Sequence, residues 1–162
     1  TQVYTDPPAG RGLWTQVPAW YAEQRSGPRL GPAQGGMMAE SALEVVNRFC
    51  AAWEKGNLDE IAGMITDDVV YHNIPLRPNI GREAVVNDFK NILHEYAPVR
   101  FEILRSAVNG DVVFNERVDH LTIKGTPFPL PVAGVFEVRN GRIAAWRDYF
   151  DMRKMRQALA AE

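Results

Sequence analysis

The sequence predicts an α+β domain: helices in its first half, then a meander of antiparallel strands that curls around them. Three observations carry this. Apolar residues recur at helical spacing after Ser41 and again through the eighties and nineties, and the pattern switches to strands from Val99 onward. Two tight-turn signals, Asn109-Gly110-Asp111 and Asn140-Gly141, punctuate the second half at hairpin spacing. Two of the strands so defined carry charge where a strand should pack apolar residues. Long strands around helices make a cone with one open end, and a cone of this kind encloses a deep apolar pocket.

Residues 1–36 differ in composition from the rest. They hold Pro7, Pro8, Pro18, Pro28 and Pro32 among many glycines, which resists regular structure. They read as a poorly structured extension before a domain spanning residues 37–162. Trp14, Trp20 and Tyr21 are costly to leave in water, so a short turn starting at Pro18 could dock them, and a lid over the pocket is the alternative role.

The folded domain begins near Ser41. Ser41-Ala42-Leu43-Glu44 fits a capping box, and Val45, Val46, Phe49, Cys50 and Trp53 follow at helical spacing until Gly56 ends the helix. Asn57 to Glu60 can cap a shorter helix running to about Ile65. Residues 69–73 read as a strand, stopped by Pro75 and Pro78. A third helix is predicted over Arg82–Tyr96, with Val85, Val86, Phe89, Ile92, Leu93 and Tyr96 inward and Pro98 as its stop. Strands are expected at 99–108 and Val112–Ile123. A loop with Pro127, Pro129 and Pro131 should lead to a third strand around 132–139, and a type I′ turn at Asn140-Gly141 to a fourth at 142–149. Asp151 can cap a closing helix over Met152–Ala160.

Bulk properties exclude several classes. The 162 residues suffice for one domain with a sizeable core, and 46% hydrophobic with 23% charged is ordinary for a globular protein. A net charge of −2 offers no basic surface to nucleic acid or an anionic membrane. The one cysteine, Cys50, permits no intrachain disulfide and reads as a small buried hydrophobe. His72, His94 and His120 lack ligand spacing, so no metal is expected, and no phosphate-binding glycine loop calls for a cofactor. No stretch has the length of a membrane helix and no leader pattern is visible, so the expected compartment is the cytoplasm.

The candidate chemistry lies on the strands. Arg117 and Asp119 are two apart and share a face, as do Trp146, Asp148 and Phe150 on the last strand, and Tyr71 and Asn73 on the first. Two aspartates and an arginine converging on an aromatic-lined pocket form a charge-paired acid/base site. Leu121, Leu130, Val132, Phe136, Trp146 and Phe150 are candidates to line it, with plain core packing as their other role. The bland alternative for Arg117 and Asp119 is an exposed ion pair worth about 0–1 kcal/mol. Arg147 and Tyr149 fall on the opposite strand face, at a structural or dimer contact. Glu116 points to solvent, and His72 and His120 alternate away from the site.

Four motifs in order, Tyr71-x-Asn73, Glu116-Arg117-Val118-Asp119, Gly134-Val135-Phe136 and Trp146-Arg147-Asp148-Tyr149-Phe150-Asp151, make the chain resemble the limonene-1,2-epoxide hydrolase family from about Ser41 to the C-terminus. The resemblance implies an NTF2-like cone of the SnoaL-like superfamily with a strongly curved mixed sheet. It implies a cofactor-independent homodimeric hydrolase whose partners are water and a small apolar epoxide. Residue by residue, it implies Asp119 as general acid, Arg117 as bridging cation and Asp148 as general base. Tyr71 and Asn73 then help to hold the water.

Such chemistry has reason to use these groups. Attacking water must lose a proton while the leaving oxygen gains one, and one ionised and one protonated carboxyl on opposite sides of the ring supply both. Burial and mutual repulsion keep one proton on the pair, and an arginine fork can bond both acids at once. A ketosteroid-isomerase or polyketide-cyclase-like enzyme on the same fold would need one carboxylate base and an oxyanion hole, with no use for a bridged pair. A non-catalytic pocket for lipophilic ligands is the third reading.

Overall fold

The structure, a computed structural model, describes residues 40–160; the expectations for residues 1–36 lie outside the described residues. The first helix, α1 (Ala42–Glu54), starts on its capping box. Ser41 Oγ accepts from the Glu44 amide at 3.3 Å, and the Glu44 carboxylate accepts from the Ser41 amide at 2.8 Å. Its inward stripe of Val45, Val46, Phe49, Cys50 and Trp53 is buried, with Ala52 beside it. Gly56 ends the turn at φ +64°, a left-handed conformation that suits glycine. Asn57 caps α2 (Leu58–Gly63) through the Glu60 amide, and α3 occupies the predicted Arg82–Tyr96.

The strands follow with instructive differences. β1 (Ile65–Asn73) starts at Ile65 rather than Val69, because Ile65 is fully buried and pairs with Ile143. A two-residue β2 (Asn79–Ile80), not anticipated, folds back antiparallel on β1. β3 (Arg100–Asn109) and β4 (Val112–Ile123) form a hairpin. β5 runs over Thr126–Arg139, so the stretch expected to be a loop is strand. The turn before it is Lys124-Gly125, both residues at positive φ.

Pro127, Pro129 and Pro131 fit in β5 because they alternate. All three are exposed and stand on one face, opposite Thr122, His120 and Val118 of β4. The ladder to β4 runs past them unbroken. Their missing N–H groups therefore lie on the other side, where β6 (Arg142–Phe150) has already ended at the Val132–Phe150 pair. The closing helix α4 (Met152–Ala160) begins after Asp151, whose carboxylate accepts from the Arg153 amide at 2.9 Å.

The six strands form one sheet in the order β2-β1-β6-β5-β4-β3. All neighbours are antiparallel except β1 and β6, which run parallel and make the sheet mixed. That parallel pair brings the first strand beside the last, with Tyr71 opposite Trp146 and Asn73 opposite Asp148. α1 lies against β3, β4, β5 and β6, inside the curve. Among the described residues no helix is long and apolar enough to cross a membrane.

The core is aromatic. Phe49, fully buried, meets Trp146 edge-on at 5.3 Å between centroids and touches Trp53, Phe89 and Phe136 at 6.3–6.4 Å. Phe49→Ala should lower unfolding free energy by about 3–5 kcal/mol, the usual range for emptying such a site. A urea titration with an unchanged m-value checks this; a loss under about 1 kcal/mol would mean the core closes over the void.

Candidate active site

Arg117 organises the inner face of the sheet. Its side chain is fully buried, and four hydrogen bonds leave its guanidinium. Nε and Nη2 donate to Asp119 Oδ1 and Oδ2 at 2.6 and 3.1 Å. Nη2 also donates to Asp148 Oδ2 at 2.6 Å, and Nη1 to Asn115 Oδ1 at 3.1 Å. One cation is thus shared by two buried carboxylates on different strands. Phe101, Trp146 and Phe136 surround it, their ring centroids 4.9, 5.6 and 5.9 Å from Cζ.

The sheet register explains the reach. Asn115, Gly134, Asp148 and Asn73 stand side by side on β4, β5, β6 and β1. Arg117 starts two residues along β4 from this row and bends back over Gly134 to meet Asp148. A Cβ on residue 134 would fall on Arg117 Nη1 and lie 2.6 Å from Asn115 Oδ1, so only glycine leaves room.

The two acids have different surroundings. Asp148 accepts from Trp146 Nε1 at 2.6 Å through one oxygen and from Arg117 through the other, so both oxygens serve as acceptors. Asp119 is bonded by Arg117 alone among the described side chains. Burial pushes the Asp119 carboxyl up to about 6, against the pull of Arg117, and the neighbouring Asp148 charge adds to the rise. Burial lowers the Arg117 guanidinium, but the two carboxylates outweigh this and hold it above its usual range, so it stays charged. Burial, then the Asp148 charge, raises Tyr71 well above an ordinary phenol, against the Asn73 hydrogen bond. Tyr71 is therefore a neutral hydroxyl.

Asp119, Asp148, Tyr71 and Asn73 open onto one cavity of about 90 Å³, more than the ~10–15 Å³ that a single water needs. Asn73 Nδ2 donates to Tyr71 Oη at 2.9 Å, which turns the Asn73 carbonyl away from the phenol and leaves the phenol hydrogen free to donate. Of the expected lining residues, Leu121, Leu130, Trp146 and Phe150 are on the wall.

Val132 and Phe136 are not on the wall. Both are buried, and Phe136 stacks on Trp146 at 5.4 Å behind the cavity and beneath Arg117. Arg117 also stands behind the acids rather than on the wall. The unexpected lining residues are Trp53, Ile92, Tyr96, Val99, Phe101 and Met155. Trp53, Ile92 and Tyr96 belong to helical stripes whose periodicity marks an inward face but does not divide packing from lining.

The residues read as bystanders face elsewhere. His72 Nε2 meets the Leu76 carbonyl at 3.0 Å and His120 Nε2 meets Glu102 at 2.7 Å. Arg147 pairs with Glu137, and Glu116 with Arg105. Cys50 is buried, which pushes its thiol up to about 12 and keeps it protonated. Among the described residues no group of three or more His, Cys, Asp or Glu converges as a metal site would.

Residues 40–161 match the family described as Limonene-1,2-epoxide hydrolase catalytic domain. The chain is similar to Epoxide hydrolase EphG of Mycobacterium tuberculosis (strain ATCC 25618 / H37Rv), 33% identical over 116 residues that span 70% of this chain and 76% of that protein. It is similar in structure to an LEH-like epoxide hydrolase from M. tuberculosis, with a TM-score of 0.66 and 31% identity over 73% of this chain and 88% of that one. An NTF2-like protein from Burkholderia pseudomallei K96243 gives a TM-score of 0.68 at 17% identity, over 76% of this chain and 100% of that one. At that identity the likeness speaks for the fold alone, which is NTF2-like.

Gly134→Ala should break the constellation while adding only a methyl. Displacing Arg117 from either acid leaves a buried charge unpaired, so stability should fall by about 3–5 kcal/mol. Chemical denaturation measures it; a variant as stable as the parent would show that β5 does not confine the guanidinium.

Proposed function

The chain belongs to the limonene-1,2-epoxide hydrolase family, and from that premise we propose that it opens a small cyclic or terpene-like epoxide with water to give a vicinal diol in one step. The observation that carries the reading is the Arg117 guanidinium shared by two carboxylates that open onto the same cavity as Tyr71 and Asn73. In this mechanism Asn73, the Tyr71 hydroxyl and Asp148 hold a water. Asp148, its oxygens already serving as acceptors, takes a proton as the water oxygen attacks an epoxide carbon. Asp119 gives its proton to the ring oxygen as the C–O bond breaks. No alkoxide is released, no covalent enzyme intermediate forms, and the sum is epoxide plus water to diol. Afterwards Asp148 holds a proton and Asp119 does not; the proton order reverses through the pair bridged by Arg117.

An isomerase or cyclase acting next to a carbonyl would need one carboxylate and an oxyanion hole. It would have no use for a second acid bonded to the same guanidinium. The same reading takes the protein to be a homodimer. Its support is the outer face of the sheet, where Phe114 and Tyr149 stand 45% exposed with Val135 between their strands.

Asp148→Asn should cut kcat at least about a hundredfold with the fold intact, as loss of a general base does. Turnover of a panel of cyclic and terpene epoxides in ¹⁸O-water reads both rate and attacked carbon. Substantial retained activity would remove Asp148 as base.

The pH dependence has a defined sign. The acid works protonated and Asp119 loses its proton as pH rises through about 6, so kcat/KM should fall on the alkaline side with an apparent value near there. A kcat/KM that climbs steadily between about pH 6 and 8 would exclude a carboxylic acid as donor.

A further inference from the structure

We propose that Asn115 is a positioning residue for this reaction, its side-chain carbonyl holding the Nη1 end of Arg117 and so fixing the guanidinium that Asp119 and Asp148 share. The proposal rests on the acid–base reading above and names a residue that the sequence motifs did not single out.

Three observations meet at this contact. First, Nε and Nη2 are committed to the two acids, and Asn115 Oδ1 is the partner of Nη1 at 3.1 Å. Without it the guanidinium is held by the Asp119 fork and one bond to Asp148, and it can rock about the fork. Rocking moves Nη2 relative to Asp148, the group that must accept from water. Second, Asn115 is buried, and its Nδ2 has no hydrogen-bond partner among the described residues. Burying an unpaired amide donor is unfavourable, and an apolar side chain of the same size would avoid it. The carbonyl half is what the site uses. Third, Gly134 lies directly across from Asn115, and any Cβ there would enter the space in which the amide and the guanidinium meet.

An amide suits this place because it accepts without adding charge. In the state from which the proposed reaction starts, with Asp119 as the protonated acid and Asp148 as the base, the cluster around Arg117 is neutral. A third carboxylate at Nη1 would draw the cation away from Asp119 and add a repelling charge, and both effects hold the Asp119 proton more tightly. Among the described residues, the charged and titratable groups facing Asp119 are Arg117 and His120 on its own strand, Asp148 on β6 and the protonated Cys50 thiol on α1. Asn115 does not reach the cavity wall, so its influence passes through Arg117.

Two variants test this, each followed by steady-state kinetics and by carboxyl ¹³C NMR titration of Asp119. Asn115→Leu keeps the size and removes the acceptor. It should lower kcat about tenfold to a hundredfold with KM changed less than about threefold, the pattern of a mispositioned reacting group. Asn115→Asp keeps the oxygen and adds charge. It should move both the Asp119 titration and the alkaline limb of kcat/KM to higher pH.

A folded Asn115→Leu protein with the parent's kcat and Asp119 titration overturns the proposal and reduces Asn115 to packing. If that variant does not fold, Asn115→Asp decides, and an unmoved Asp119 titration overturns it. If the parent itself does not hydrolyse epoxides, the functional reading fails. The NMR titrations would still report whether Asn115 governs the Arg117–Asp119 pair.

Discussion

Arg117 carries a full positive charge with none of its side chain exposed to solvent, and the inner face of this domain is arranged around that fact. A buried guanidinium needs counter-charge and acceptors along its N–H edges. Asp119 supplies a two-point fork from the same strand, Asp148 a single short bond from β6, and Asn115 a neutral carbonyl at the far end. Gly134 supplies only space. The rings of Phe101, Trp146 and Phe136 fill the remaining sides and offer their π faces to the cation. Phe136 therefore serves the site without touching the cavity.

This arrangement makes two chemically identical side chains unequal. Both acids touch the same guanidinium, but among the described side chains only Asp148 has a second donor, the Trp146 indole. Asp119 faces the cavity with Arg117 as its support, and burial together with the Asp148 charge favours its neutral form. A pair that holds one proton between two positions is what concerted proton donation and removal require. Trp146 thus belongs at once to the cavity wall, to the aromatic core around Phe49 and to the hydrogen-bonding of Asp148. Core packing and site geometry are here one set of contacts.

Much of the fold was legible because its signals are local. The Ser41 capping box, the α3 bounds between Arg82 and Pro98, and the Asn140-Gly141 turn each rest on a few neighbouring residues. β5 was legible only from Val132 onward. Three prolines ordinarily mark a loop, and their tolerance here depends on where β6 stops, which no neighbour in the chain reports. The short β2 was hidden likewise, since two residues become a strand only by lying against β1.

For the site, alternation along a strand was enough to put Arg117 with Asp119, Tyr71 with Asn73, and Trp146 with Asp148, because the period of two is built into the backbone. That is what the sequence by itself determined: which side chains share a face, where helices begin and end, and that charge lies among apolar neighbours. The tertiary structure decided which faces meet. The parallel pairing of β1 with β6 set Asn73 beside Asp148, the β4–β5–β6 register put Gly134 under the guanidinium, and the packing of α1 inside the curved sheet made Trp53 of the helix and Phe101 of the sheet wall while Val132 and Phe136 became core. Register and enclosure come from contacts between residues distant in the chain, and such contacts leave no period in the sequence to read.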